Sequence, residues 1–218
     1  LTPNWRERLI CPLCQLNNRT RAAIDIFQQT CKSSKRSRIY LTEQLTPLYQ
    51  WFSARFPQAI GSEFLGNQIQ FGQCNEQGIR NEDLTQLSFA DNELDSILSF
   101  DVLEHVPDYM QALSECLRCL KPGGVLLLSV PFSQVSVENI LRAYHDESGE
   151  LHHLLPPDYH GDPVNPDGGC LCYYYFGWSL LDNLRALGYC DVQALFYWSE
   201  KYAYLGGEQI LLVAKKPE

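Results

Sequence analysis

The residues most able to do chemistry in this chain stand where short apolar runs end. Thr42-Glu43-Gln44 follows the first run, and Glu63-Phe64 closes the second. Asp83-Leu84 comes after a polar loop that ends in a short expected strand, and Phe100-Asp101 closes a further apolar run. A carboxylate such as Glu63 can accept both hydroxyl hydrogens of a ribose diol. An acid followed by an apolar residue, as in Asp83-Leu84, suits adenine, because the carboxylate takes the exocyclic amine while apolar atoms cover the ring. One acid in such a place is a common surface feature, whereas acids ending successive runs form a pattern. His105 lies just beyond the last of these runs, and His145, His152, His153, Tyr159 and His160 crowd a later segment. Cys11-Pro-Leu-Cys14 has the spacing of half a tetrahedral zinc site, but no second pair of matching spacing accompanies it. No metal ligand set is therefore expected.

These positions depend on the elements that hold them. Spacing predicts a helix over Asn18–Cys31, a strand at Arg38–Leu41, and a helix over Thr46–Phe56 with Pro47 at its first position. A second strand is expected at Ala59–Phe64. The segment Gly66–Arg80 is rich in Gln, Asn and Gly and reads as a loop with a short third strand at its end. Leu94–Phe100 is a fourth strand, Asp108–Leu120 a helix closed by Lys121-Pro-Gly-Gly124, and Gly124–Val130 a strand buried on both faces. Regularity is lost over 133–176, an insertion or lid rich in His, Tyr and Pro, and returns with a helix at Trp178–Leu187. Strands at Asp191–Tyr197 and Gln209–Lys215 then form a hairpin. Alternating strands and helices imply an α/β fold, doubly wound. The expected sheet is mostly parallel and seven-stranded, with an antiparallel C-terminal edge strand. Residues 1–37 are expected to form an appendage to a main domain over 38–218.

Composition narrows the class. With 218 residues, 45% hydrophobic and 20% charged, the chain can bury one full core. The formal charge of −9 is spread along the chain and argues against nucleic-acid binding, which needs a basic face. The basic stretch Lys32–Arg38 reads as a solvated loop. No apolar run reaches the length of a membrane span, and the N-terminus does not look like a secretory signal. Nine cysteines, an odd number, are expected as reduced thiols in a cytoplasmic protein.

The stretch Asn81–Phe132 resembles the class I, Rossmann-like S-adenosylmethionine-dependent methyltransferases, especially those with small-molecule substrates. Glu82-Asp83-Leu84 with Leu87-Ser-Phe89 resembles their adenine motif, Leu94–His105 their fourth strand and helix start, and Leu120–Gly124 their fifth-strand entry. The resemblance implies S-adenosylmethionine as cofactor, held by Thr42, Glu43, Gln44, Glu63, Phe64, Asp83, Leu84, Phe100 and Asp101. Glu63 would take the ribose, Asp83 the adenine amine, and Phe100 and Asp101 the methionine end. His105 and His153 are the candidate bases, and the acceptor is a small molecule or saccharide-like. The glycine-rich first motif of the family is missing: Ile39–Pro47 contains no glycine, and Tyr40 stands where an acid would be. Two readings stay open, a side-chain-rich loop that still binds the cofactor and a catalytically silent binding or assembly module. The absence of G-x-G-x-x-G disfavours a nicotinamide dehydrogenase. Cys11–Ala23 also resembles the second knuckle of a zinc ribbon with its supporting helix, so zinc in a longer product stays a hypothesis.

Overall fold

Strand β1 (Ile39–Leu41) is buried at all of its residues, which demands strands at both edges and helices on both faces. The computed structural model, which describes residues 4–218, supplies both. Leu1–Pro3, the start of the expected appendage, lie outside the described residues. β1 pairs in parallel with β2 (Ile60–Gly61) on one side and β3 (Leu94–Phe100) on the other, and β3 pairs in parallel with β4 (Leu120–Ser129). β11 (Cys190–Ser199) and β12 (Tyr204–Lys215) complete the order β11-β12-β4-β3-β1-β2.

Alternate residues of the central strands feed two cores. On one face, α2 (Asn18–Thr30) and α3 (Pro47–Ser53) pack Phe27, Leu48 and Phe52 onto Ile39, Leu41, Leu98 and Leu127. On the other, α4 (Tyr109–Cys119) and α5 (Ser179–Leu187) pack Leu113, Leu180 and Leu184 onto Tyr40, Ile97, Leu126 and Leu128. Each such side chain contributes about 1.5–3 kcal/mol of transfer free energy. α2, whose residues the sequence placed in an appendage, is thus one of the helical layers. The asparagine before it, Asn17, caps it by accepting from the amide of Thr20. A one-turn helix α1 (Trp5–Arg8) precedes it.

Two expectations about the sheet need correction. It has six strands rather than seven, because the expected third strand shrinks to one bridge between Glu63 and Asn81. The buried side chain of Asn81 accepts from Leu65 and donates to the carbonyls of Gly66 and Ile69, which winds the preceding segment into turns instead. The C-terminal strand β12 is antiparallel, as expected, but it is not the edge. It lies between β4 and β11 and is antiparallel to both. Leu211–Ala214 are all buried and need neighbours on each side, whereas no residue of β11 is fully buried. Within 133–176 the chain forms small antiparallel pairs: β5 (Ile140–Leu141) with β10 (Tyr174–Tyr175), β6 (Ala143–His145) with β7 (Leu151–His153), and β8 (Tyr159–His160) with β9 (Cys170–Leu171).

Candidate active site

A cleft of about 810 Å³ opens beyond the carboxyl ends of β1, β3 and β4. The chain leaves β1 in one direction for β2 and lies against β3 on the other side, so this is the switch point where open α/β sheets bind ligands. Thr42 and Glu43 enter the cleft after β1, Glu63 after β2, Phe100 and Asp101 from β3, and His105 from the turn that follows. Arg6 and Arg19 reach in from the N-terminal helices, and His160 from the insertion.

Asp101 is the electrostatic centre of the floor. It sits at φ 55°, a left-handed conformation, and its carboxylate accepts from Ser129 Oγ at 3.0 Å. Arg6 approaches the same carboxylate at 2.6 Å and Arg19 at 3.1 Å. Burial pushes the Asp101 pKa up, but the two guanidinium groups outweigh it and hold the carboxyl below its ordinary value. Arg19 also bonds Glu7 at 2.9 Å, so its charge is shared between two acids.

The other acids behave differently. Burial raises Glu43 from 4.5 to about 7, against the opposing pull of Thr46 and Arg19. Glu63 accepts the amides of Gln44 at 2.7 Å and Leu45 at 2.8 Å, both on Oε1, and so pins the loop after β1. Its burial raises the pKa more than those amides lower it. Room for this loop comes from the next strand. A Cβ on Gly61 would meet the Glu43 carbonyl at 2.7 Å and the Tyr49 ring at 2.6 Å.

The opposite wall is made of imidazoles around an acid. Glu104 is fully buried in the turn after β3, and neither carboxylate oxygen has a hydrogen-bond partner among the described residues. His160 Nδ1 lies 3.5 Å from its Oε1 and His105 Nε2 lies 3.7 Å away. The two rings meet edge to face at 4.9 Å. His105 Nδ1 is 2.8 Å from the Leu171 carbonyl, which can only accept, so Nδ1 carries a proton. The close contact with the Glu104 carboxyl group raises the His160 pKa above its ordinary value, with Asp158 adding to the effect.

Comparison with known proteins places this geometry. The methyltransferase domain family matches residues 47–128, from the start of α3 to the end of β4. A probable S-adenosylmethionine-dependent methyltransferase of Mycolicibacterium smegmatis is 45% identical over 53 residues, covering 24% of this chain and 21% of its own. A solved methyltransferase of Listeria monocytogenes, described as putative and S-adenosylmethionine dependent, superposes with a TM-score of 0.55 at 12% identity. That superposition covers 91% of this chain and 99% of the Listeria protein. The chain has the Rossmann-like fold of these methyltransferases. The Burkholderia thailandensis 1,6-didemethyltoxoflavin-N1-methyltransferase, solved with that substrate and S-adenosylhomocysteine, is similar in fold too, with TM-score 0.51 and 16% identity. This covers 91% of the present chain and 78% of the Burkholderia protein. The chain spans only about a fifth of the length of the Mycolicibacterium relative.

In a methyltransferase of this class the loop after the first strand is glycine-rich. Here Glu63, the carboxylate of the neighbouring strand, and Gly61 beside it hold a glycine-free loop in that place. Gln44 does not line the cleft: its side chain donates to the Gly78 carbonyl and accepts from the Arg80 amide, stapling the loop to 78–80. Phe64 is exposed. The Asp83 carboxylate turns to the amide and hydroxyl of Thr85, and Leu84 is buried in the core beside Tyr40, so neither lines the cleft. The buried acid of that motif is Glu82, which is spent on Arg80 and Ser88. His153 is exposed on β7 and does not line the cleft. Sequence reasoning missed Arg6 and Arg19, which lie ahead of the first strand, and Glu104, whose burial no local pattern signals.

Proposed function

We propose that this chain transfers a methyl group from S-adenosylmethionine to a small-molecule acceptor. The observation that carries this reading is the charge pattern of the cleft: Glu43, Glu63 and Asp101 at the ends of successive strands, with Arg19 among them. A methionine moiety carries one carboxylate and one ammonium, and a floor with the guanidinium groups of Arg6 and Arg19 beside the acids Asp101 and Glu43 matches both. Arg19 takes the carboxylate, a task that in a glycine-rich loop falls to backbone amides. Asp101 and Glu43 take the ammonium, and Glu63 the ribose hydroxyls. When bound, the cofactor supplies an electrophilic methyl on a sulfonium, and the displacement is in line, so positioning is the main task of the protein. The Glu104, His105 and His160 wall faces the acceptor. The −9 net charge supports a small acceptor over a nucleic acid, in a cytoplasmic setting. No helix among the described residues is long and apolar enough to cross a membrane.

A second reading, a silent methyltransferase-like binding module, is favoured by one observation: the adenine acid Asp83 is engaged by Thr85. Calorimetric titration with S-adenosylhomocysteine separates the two. Saturable binding that weakens at least tenfold in Glu63→Ala, which strands a polar partner, supports methyl transfer. Absence of heat at millimolar ligand with folded protein supports the silent module.

A further inference from the structure

Glu104 is buried without a hydrogen-bond partner for either carboxyl oxygen among the described residues, and its side chain has no exposure at all. A buried carboxyl group is costly unless it is paired or given to a metal, and the groups nearest to this one are the imidazoles of His160 and His105. Three donor atoms converge on the cleft side of it: Glu104 Oε1, His105 Nε2 and His160 Nδ1, all within 4.8 Å of one another. Zinc bonds of about 2.0–2.2 Å to nitrogen and oxygen put tetrahedral ligands about 3.3–3.5 Å apart. The measured separations from Glu104, 3.5 Å to His160 and 3.7 Å to His105, need little movement to meet that.

We infer that Glu104, His105 and His160 form a binding site for one divalent transition-metal ion of the zinc class, with coordination positions left open to the cleft. The groups behind the ligands agree with this. A metal-binding imidazole usually gives its other N–H to a carbonyl or carboxylate, which fixes the tautomer. His105 Nδ1 is held by the Leu171 carbonyl at 2.8 Å, and His160 Nε2 faces Asp158 Oδ2 at 3.6 Å. Asp158 is itself oriented by the Tyr175 hydroxyl. Gly169, at φ 67°, lets the chain pass against the His160 carbonyl, where a Cβ would lie at 2.5 Å, and so seats His160. Two imidazoles and one carboxylate select zinc-like ions over calcium or magnesium, which prefer oxygen ligands. All three residues line the cleft, so the free positions can take water or an oxygen of the acceptor. His105 is then a ligand rather than a base. The neighbouring trio Asp158, His160 and Cys172 is not a rival site, because the Cys172 thiol donates to the Tyr174 carbonyl and burial pushes its pKa up to about 12.

The site lies on the acceptor side of the methyl-transfer reading and rests on it only for its purpose. The full chain carrying Cys11→Ser and Cys14→Ser, so that the knuckle does not contribute, is stripped with chelator and titrated with zinc alone. About one zinc per chain is expected by calorimetry and elemental analysis. His105→Ala and His160→Ala each weaken it at least tenfold, as loss of a ligand does. Glu104→Gln keeps the shape of the side chain and carries the test if the alanine variants fail to fold. It too weakens zinc at least tenfold, and zinc raises the melting temperature of its parent but not of Glu104→Gln. No saturable zinc binding, or binding unchanged in these variants, overturns the site. S-adenosylhomocysteine titrated in parallel keeps the two readings apart, since loss of zinc with retained nucleoside binding removes only the metal.

Discussion

The guanidinium of Arg19 stands 3.1 Å from the carboxylate of Asp101, joining the N-terminal helix layer to the end of β3 across the mouth of the cleft. Neither side chain is more than a quarter exposed. Arg19→Ala therefore leaves Asp101 buried with one partner fewer, at a cost of about 1–3 kcal/mol. Urea denaturation measures that loss, and calorimetry measures a weaker S-adenosylhomocysteine complex. Unchanged ligand affinity in a folded Arg19→Ala protein removes Arg19 from the cofactor site.

Glu43 sets a pH dependence. Its pKa is 4.5 when unfolded and about 7 in the fold, so the folded state binds the proton more tightly. Stability is greatest below 4.5, falls as pH rises through 7, and then levels off. Glu43→Gln removes this dependence. Its melting temperature should match that of the parent near pH 4 and exceed it at pH 8, by the equivalent of about 3 kcal/mol. Parallel melting curves across that range mean that the fold leaves the Glu43 pKa at its unfolded value.

Gly61 is required by its neighbour. The Glu43 carbonyl that a Cβ would strike at 2.7 Å is backbone and cannot swing aside. Gly61→Ala should destabilise the protein by about 1–3 kcal/mol, as overpacking does, and displace the loop that carries Glu43. Denaturation midpoints check the first effect and ligand titration the second. A neutral substitution means that β2 and the loop lie farther apart.

The thiols differ in reactivity. Backbone amides at Cys14 and Leu13, with the Cys14 side chain, lower the Cys11 pKa, whereas burial raises Cys31 to about 11 and Cys172 to about 12. The thiolate is the nucleophile. Brief alkylation at neutral pH, read by peptide mass spectrometry, should mark Cys11 well before Cys31 or Cys172. Equal labelling of all three contradicts the folded arrangement of the knuckle and core.

Much of the frame was legible because it rests on local pattern. Leu94–Phe100 is a strand with the residue bounds that its apolar run suggests, and Thr46-Pro47 starts α3 as cap and first residue. The third strand was not legible, since Asn81 decides it by bonding to three backbone groups of a loop. The place of β12 inside the sheet depends on which neighbours bury Leu211–Ala214.

By itself the sequence determined the α/β class, the run of acids after successive strands and the resemblance of Asn81–Phe132, all of which follow from spacing along one stretch of chain. Only the tertiary structure decided which acids share a cleft. It kept Glu43, Glu63 and Asp101 there, turned Asp83 to Thr85, and brought in Arg19. It also set Glu104, His105 and His160 around one point. Packing of α2 on the sheet and of the insertion on the turn after β3 makes those contacts, and residues so far apart in sequence leave no periodic trace of their meeting.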